Sequence, residues 1–145
     1  MPTIKTAVDV AASPEMVWRV LTYFPDYPKW NPVLISIHGS LAPGQRLKIQ
    51  TRISQGREYK FSPVVVKVIP ATELRWRRRQ LIEGIFDREL TFLIVPNGIK
   101  GVRFIQREHF SGLLAPLIMH FISEKTVKAF NLMNLALKRT AEAKR

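Results

Sequence analysis

Side chains able to do chemistry are sparse in this sequence, and their spacing excludes more than it offers. None of the three histidines, His38, His109 and His120, has a second histidine within four residues, so the paired-histidine spacings of metal sites are missing. Cysteine is absent, which removes disulfides, thiolate metal sites and a cysteine nucleophile. There is no Gly-x-Ser-x-Gly elbow, no phosphate-cradling glycine loop and no dinucleotide fingerprint. No cofactor and no metal are therefore expected. What survives is acid/base or anion-binding chemistry. Glu108, Gln106 and His120 could position or move a proton, although a lone histidine is by default structural. Arg78 and Arg88 could hold a carboxylate or phosphate through the guanidinium fork.

Whether these groups meet depends on strand parity. In Ile85 to Val95, the even residues Phe86, Arg88, Leu90, Phe92 and Ile94 share one face; in Gly101 to Phe110, Val102, Phe104, Gln106, Glu108 and Phe110 do. Both even sets are the more apolar and should turn inward. A turn at Asn97-Gly98-Ile99 would set Phe92 opposite Phe104, Leu90 opposite Gln106 and Arg88 opposite Glu108. Glu108 then has two readings: a buried carboxylate that serves as general base or ligand acceptor, or the partner of Arg88 in an ion pair that satisfies two inward charges. Leu74, Trp76 and Arg78 alternate with Arg75, Arg77 and Arg79, which should face solvent. Arg78 either follows Trp76 inward or snorkels to water from the strand end.

The elements that must position these residues follow from periodicity. Ile4 to Val10 alternates as a strand with one buried face, and Ser13-Pro14-Glu15 then opens a helix carrying Val17, Trp18, Val20 and Leu21. Three prolines between Phe24 and Pro32 allow at most one further helical turn. Six strands are expected after it: Val33 to His38, Arg46 to Ile53, Glu58 to Ile69, Glu73 to Gln80, Ile85 to Val95 and Gly101 to Phe110. Pro43-Gly44, Gln55-Gly56, Pro70-Ala71-Thr72, Glu83-Gly84 and Asn97-Gly98 separate them. From about Pro116 to Ala143, Met119, Ile122, Thr126, Phe130, Met133 and Leu137 mark one long amphipathic helix. The expectation is an α+β fold: one seven-stranded antiparallel sheet, two short helices after its first strand, and the terminal helix on its curved face. A cavity can remain between sheet and helix. Its candidate lining is Trp30, Trp76, Arg78, Phe86, Arg88, Leu90, Phe92, Phe104, Gln106, Glu108, Phe110, Phe130, Met133, Asn134 and Leu137, with Glu108 the one catalytic candidate. Phe24, Tyr27 and Trp30 form either a lid over it or core.

The element order, with Val17-Trp18-Arg19-Val20-Leu21-Thr22, Phe24-Pro25-Asp26-Tyr27-Pro28-Lys29-Trp30-Asn31-Pro32, Glu73-Leu74-Arg75-Trp76 and Phe110-Ser111-Gly112-Leu113-Leu114, resembles the SRPBCC superfamily of START-like, helix-grip proteins. The polyketide cyclase/dehydrase-like branch is the nearest in pattern. The resemblance covers the whole chain, residues 1–145, as one domain. It implies a deep, mostly apolar pocket for a hydrophobic small molecule of lipid, polyketide or aromatic type. It does not imply one reaction, since the superfamily contains carriers and receptors as well as cyclases. The family more often has small or acidic residues near positions 78 and 88, so two arginines there argue for a ligand with an acidic group.

The chain has 145 residues, 46% of them hydrophobic, the length of one domain with ample core. Its net charge of +12 could concentrate nucleic acid, an anionic membrane surface or an anionic ligand. Arg46, Lys48, Arg52, Arg57, Lys60, Lys67, Arg75, Arg77, Arg79, Arg103 and Arg107 would partly share the outer sheet face. No nucleic-acid motif accompanies them, which leaves that class a distant third behind a small-molecule carrier and an acid/base cyclase or dehydratase. Weak association with anionic membranes is the better use of such a face. Charges interrupt every apolar run near the N-terminus, so a cytoplasmic protein is expected.

Overall fold

The computed structural model describes residues 3–52, 56–80, 84–99 and 101–144, with the side chains at 79 and 80 outside that description. Strand β1 (Thr3–Val10) is followed by helix α1 (Pro14–Thr22), whose N-cap Ser13 accepts the Met16 N–H on its hydroxyl at 3.1 Å. The prolines then limit the chain to a single 3₁₀ turn (Phe24–Asp26) and one turn of helix α2 (Tyr27–Trp30).

The remaining chain makes more strands and more sheets than the single seven-stranded sheet expected. Strands β2 (Leu34–His38), β3 (Lys48–Arg52) and β4 (Glu58–Phe61) form a three-stranded antiparallel sheet. Strands β5 (Val64–Ile69), β6 (Glu73–Gln80), β7 (Phe86–Pro96) and β8 (Val102–Ser111) join β1 in a five-stranded one, in the order β1-β8-β7-β6-β5. The run expected as one strand from Glu58 to Ile69 divides at Ser62-Pro63, because Pro63 has no N–H to give to a ladder. The chain leaves one sheet there and enters the other. The Pro63 carbonyl still accepts the Leu47 N–H at 2.9 Å, and Val65 N–H donates to Gln45 O at 2.8 Å, so the two sheets stay hinged at this point. Ile53, Gln55 and Glu83, placed by sequence at a strand end and in two turns, lie outside the described residues, as does the Arg79 side chain.

The inward faces of β7 and β8 are those that parity indicates, but the register differs by two residues. Phe92 stands opposite Gln106, Leu90 opposite Glu108 and Arg88 opposite Phe110. The connecting loop is longer than the assumed turn: it runs on until the Asn97 N–H donates to Gly101 O at 2.9 Å. A shift of two keeps every side chain on its face and changes only its neighbour across the ladder.

Gly112 releases the chain from β8 into helix α3 (Ala115–Lys144). It has φ +108°, and a Cβ there would lie 2.6 Å from the Ile85 carbonyl oxygen, so a side chain is excluded. Leu113 and Leu114 N–H groups then bond Gly84 and Ile85 oxygens, both at 2.9 Å. Helix α3 packs on β1 and β8 and, near its end, on α1. Its second half buries Met133, Leu137 and Ala141 in a core shared with Val17, Leu21, Leu74, Phe92 and Phe104. Its start rests on a separate, smaller cluster of Ile4, Phe86, Phe110 and Ala115. Between the two, Gln106 Nε2 donates to Asn134 Oδ1 at 2.7 Å and to the Phe130 carbonyl at 3.2 Å, while Asn134 Nδ2 donates to Thr6 Oγ1 at 2.9 Å.

This buried chain of amides and hydroxyl fixes the helix across β1 and β8. Asn134→Ala removes the partner of Thr6 and leaves Gln106 only its longer bond to the Phe130 carbonyl. A loss of about 1–3 kcal/mol is expected in urea unfolding, with Tm lowered by several degrees. An unchanged denaturation midpoint would show that the network does not hold the helix.

Candidate functional site

A cavity of about 490 Å³ lies between the two sheets and the middle of α3. The five-stranded sheet contributes Trp76 and Arg78 from β6, Arg88 and Leu90 from β7, and Gln106 and Glu108 from β8. The smaller sheet closes the side with Leu34, Thr51, Tyr59 and Phe61, and α3 roofs it with Ile122, Thr126, Ala129, Phe130 and Met133. The rim carries exposed side chains: Pro32, Arg52, Lys125, Lys128 and Leu132.

Of the residues expected from sequence, Trp76, Arg78, Arg88, Leu90, Gln106, Glu108, Phe130 and Met133 thus line the cavity, and the others do not. Phe92 and Phe104 stack on each other at 6.0 Å between centroids and, with Leu137, fill the main core. Phe86 and Phe110 stack at 5.9 Å in the smaller cluster, against which Met119 packs. Asn134 is spent on Gln106 and Thr6. Trp30 is no lid: it meets Tyr27 edge-on at 5.0 Å and borders a separate surface depression beside α1 and the end of α3. Tyr27 is buried, its hydroxyl donating to the Leu21 carbonyl, and burial pushes that phenol well above its ordinary range. His120 is exposed against Phe121 and away from the cavity.

Parity identified the inward faces of β6, β7 and β8 but could not say where those faces stop being packed. The lining from β2, β3 and β4 was missed because a single continuous sheet gives the smaller sheet no reason to turn over the cavity. The signal that could have located it is Pro63, at which the chain changes sheets.

The charges inside are unequal. Glu108 is held in a two-point ion pair by Arg88, with Nη2 to Oε1 at 2.8 Å and Nε to Oε2 at 3.2 Å, and their side chains are only 5% and 12% exposed. Arg78 is the direct cross-strand neighbour of Arg88, so two cations face each other where like charges are unfavourable. Rather than snorkel to water, Arg78 is buried, its guanidinium 4.2 Å above the centre of the Phe61 ring. Among the described residues it has no carboxylate within ion-pair distance, and its Nε has no hydrogen-bond partner. Burial, and after it the Arg88 charge, draw Arg78 below the ordinary guanidinium range, against support from Tyr59 and Glu108. A guanidinium nevertheless stays protonated in proteins. The interior therefore holds two cations, one carboxylate and an apolar wall.

Two antiparallel sheets and a long C-terminal helix around a polar-floored cavity make an α+β fold of the helix-grip kind. The chain belongs to the family described as polyketide cyclase/dehydrase and lipid transport, whose model matches residues 1–142. Among solved structures, it is similar to the di-domain ARO/CYC StfQ of the steffimycin biosynthetic pathway, with TM-score 0.78 and 14% identity over 98% of this chain. The chain spans 51% of that protein, about half its length. It is similar also to the Zhui aromatase/cyclase of Streptomyces sp. R1128, with TM-score 0.78 and 13% identity over 97% of this chain and 93% of that one. A START superfamily protein of Mycobacterium smegmatis gives TM-score 0.72 and 22% identity over 99% of both chains. No curated protein matches the sequence significantly.

Because Arg88 and Glu108 satisfy each other inside, either one alone is costly. Glu108→Leu is expected to lose about 3–5 kcal/mol in denaturant unfolding, and the double variant Arg88→Met/Glu108→Leu to regain most of it. Additive losses in the double-mutant cycle would mean that the two side chains do not act as a pair.

Proposed function

We propose that this protein binds and carries a hydrophobic small molecule with an acidic group, the acid meeting Arg78 and the apolar body lying against Trp76, Leu90, Phe130 and Met133. One observation carries the reading: a cavity with two inward guanidinium groups and a single carboxylate, which Arg88 occupies. Arg78 is left as a desolvated cation whose Nε donor is unpaired among the described residues. An incoming carboxylate or phosphate supplies what the protein withholds, and a fork-to-fork contact in such surroundings is strong. A volume near 490 Å³ falls within the roughly 300–1,000 Å³ of small-molecule sites. Met133 and Phe130 can repack around differing shapes.

An acid/base enzyme of the cyclase or dehydratase type is the second reading, favoured by Glu108 and Gln106 facing the same space. Against it, both Glu108 oxygens are engaged by Arg88, and Gln106 is committed to Asn134. Glu108→Gln separates the two: an enzyme keeps its ligand and loses turnover, whereas a carrier shows a change in stability alone.

The expected outcome for Arg78→Met is a loss of roughly tenfold to a hundredfold in affinity for a fluorescent fatty acid, with affinity for its methyl ester unchanged. Equal effects on acid and ester would overturn the acidic-group assignment. Native mass spectrometry of the purified protein, read for a co-purifying organic acid, identifies the ligand directly.

A further inference from the structure

Helix α3 presents a second feature, which meets the cavity only at its rim. Along its outward face and the turn before it stand Leu113, Leu117 and Phe121, exposed to 78%, 59% and 69%. The same face continues through Lys125 and Lys128 to Leu132, half exposed. Large apolar groups left in water at this density along one helix face are unusual for a surface that nothing covers. Residues 117, 121, 125, 128 and 132 recur at helical spacing, so leucine, phenylalanine and lysine form one stripe with a single nearby acid, Glu124. No helix of the described residues is long and apolar enough to cross a membrane. An apolar stripe flanked by lysines is instead the composition of a helix that lies in the plane of a bilayer surface.

We infer that the outward face of α3 docks on an anionic lipid bilayer, with Leu117 and Phe121 entering the headgroup boundary and Lys125 and Lys128 meeting lipid phosphates. Charge decides between a bilayer and a second copy of this chain. At a net charge of +12, two copies repel each other, whereas an anionic surface attracts each of them. Position supplies the second argument. Lys125, Lys128 and Leu132 belong both to the stripe and to the rim of the cavity. A protein docked by this face holds its cavity mouth at the lipid surface, where an amphipathic acid partitions. Docking stands on the exposed stripe alone; its use in loading or unloading a ligand rests on the carrier reading above.

The test is sedimentation of the full chain with vesicles of phosphatidylcholine alone or mixed with phosphatidylserine. Binding to the mixed vesicles, weakened by salt and weak on pure phosphatidylcholine, is expected. Lys125→Gln/Lys128→Gln should lower the partition coefficient roughly thirtyfold, and Leu117→Ser/Phe121→Ser at least tenfold. Absence of binding to phosphatidylserine vesicles, or binding indifferent to both pairs of substitutions, overturns the proposal. So does a concentration-dependent dimer in size-exclusion chromatography that Leu117→Ser/Phe121→Ser abolishes, since a second copy would then cover the face. The fluorescent fatty acid titration on Leu117→Ser/Phe121→Ser distinguishes the two ideas. Retained probe affinity with lost vesicle binding assigns the stripe to docking. Vesicle binding by a wild-type protein that takes up no probe sinks the carrier reading and leaves docking intact.

Discussion

The placement of α3 depends on one buried polar connection, the run from Thr6 on β1 through Asn134 on the helix to Gln106 on β8 and back to the Phe130 carbonyl. A helix lying on an apolar sheet face by hydrophobic contact alone is free to slide and settle until no space remains, because dispersion and burial have no preferred register. A hydrogen-bonded amide does have one. Gln106 and Asn134 satisfy each other only when the helix stands at one height and one rotation. On the C-terminal side of that pin, Met133, Leu137 and Ala141 close onto the main core; on the N-terminal side the helix rests on the Phe86 and Phe110 cluster. The cavity is the span between these two supports.

Charge inside that span runs against the economy of folding. Burying an ion costs several kcal/mol unless it is paired, and pairing accounts for Arg88 and Glu108 but not for Arg78. A methionine would fill the same volume over Phe61 without the desolvation cost. Positions where a sequence departs from what packing alone prefers are where function is to be sought. Arg78 is such a position, and the cation–π contact with Phe61 and the support from Tyr59 soften the cost without cancelling it.

Much of this was legible in the sequence, in proportion to how local the information was. The N-cap at Ser13, the proline-limited turn and the inward faces of β7 and β8 follow from nearest neighbours and were read correctly. The hairpin register was not, because it depends on where the loop ends, and nothing in Asn97-Gly98-Ile99 says that closure waits until Gly101. The number of sheets turned on Pro63, a single missing N–H inside an otherwise unbroken run of strand-forming residues. The hardest distinction was among the inward aromatics. Phe92, Phe104 and Trp76 share parity and size, yet Phe92 and Phe104 stack into core while Trp76 also borders empty space. That difference depends on where the smaller sheet and α3 stand over the face and has no trace in alternation.

The excess of basic residues also divides once they have positions. On the outer face, Arg75 is within ion-pair reach of Glu73 and Glu89, Arg77 of Glu89, Lys67 of Glu73, and Arg103 of Asp9. Such pairs add little stability, but the three carboxylates reduce the field that these four cations would project. At the cavity, Arg78 lies within, and Lys125 and Lys128 stand at its rim beside the exposed leucines and phenylalanine of α3. On the carrier reading proposed above, a positive potential at the mouth gathers an amphipathic anion and the cation at the depth holds its acid. Net charge alone points as readily to nucleic acid; the buried guanidinium of Arg78 in a partly apolar cavity is what supports the small anionic ligand proposed above.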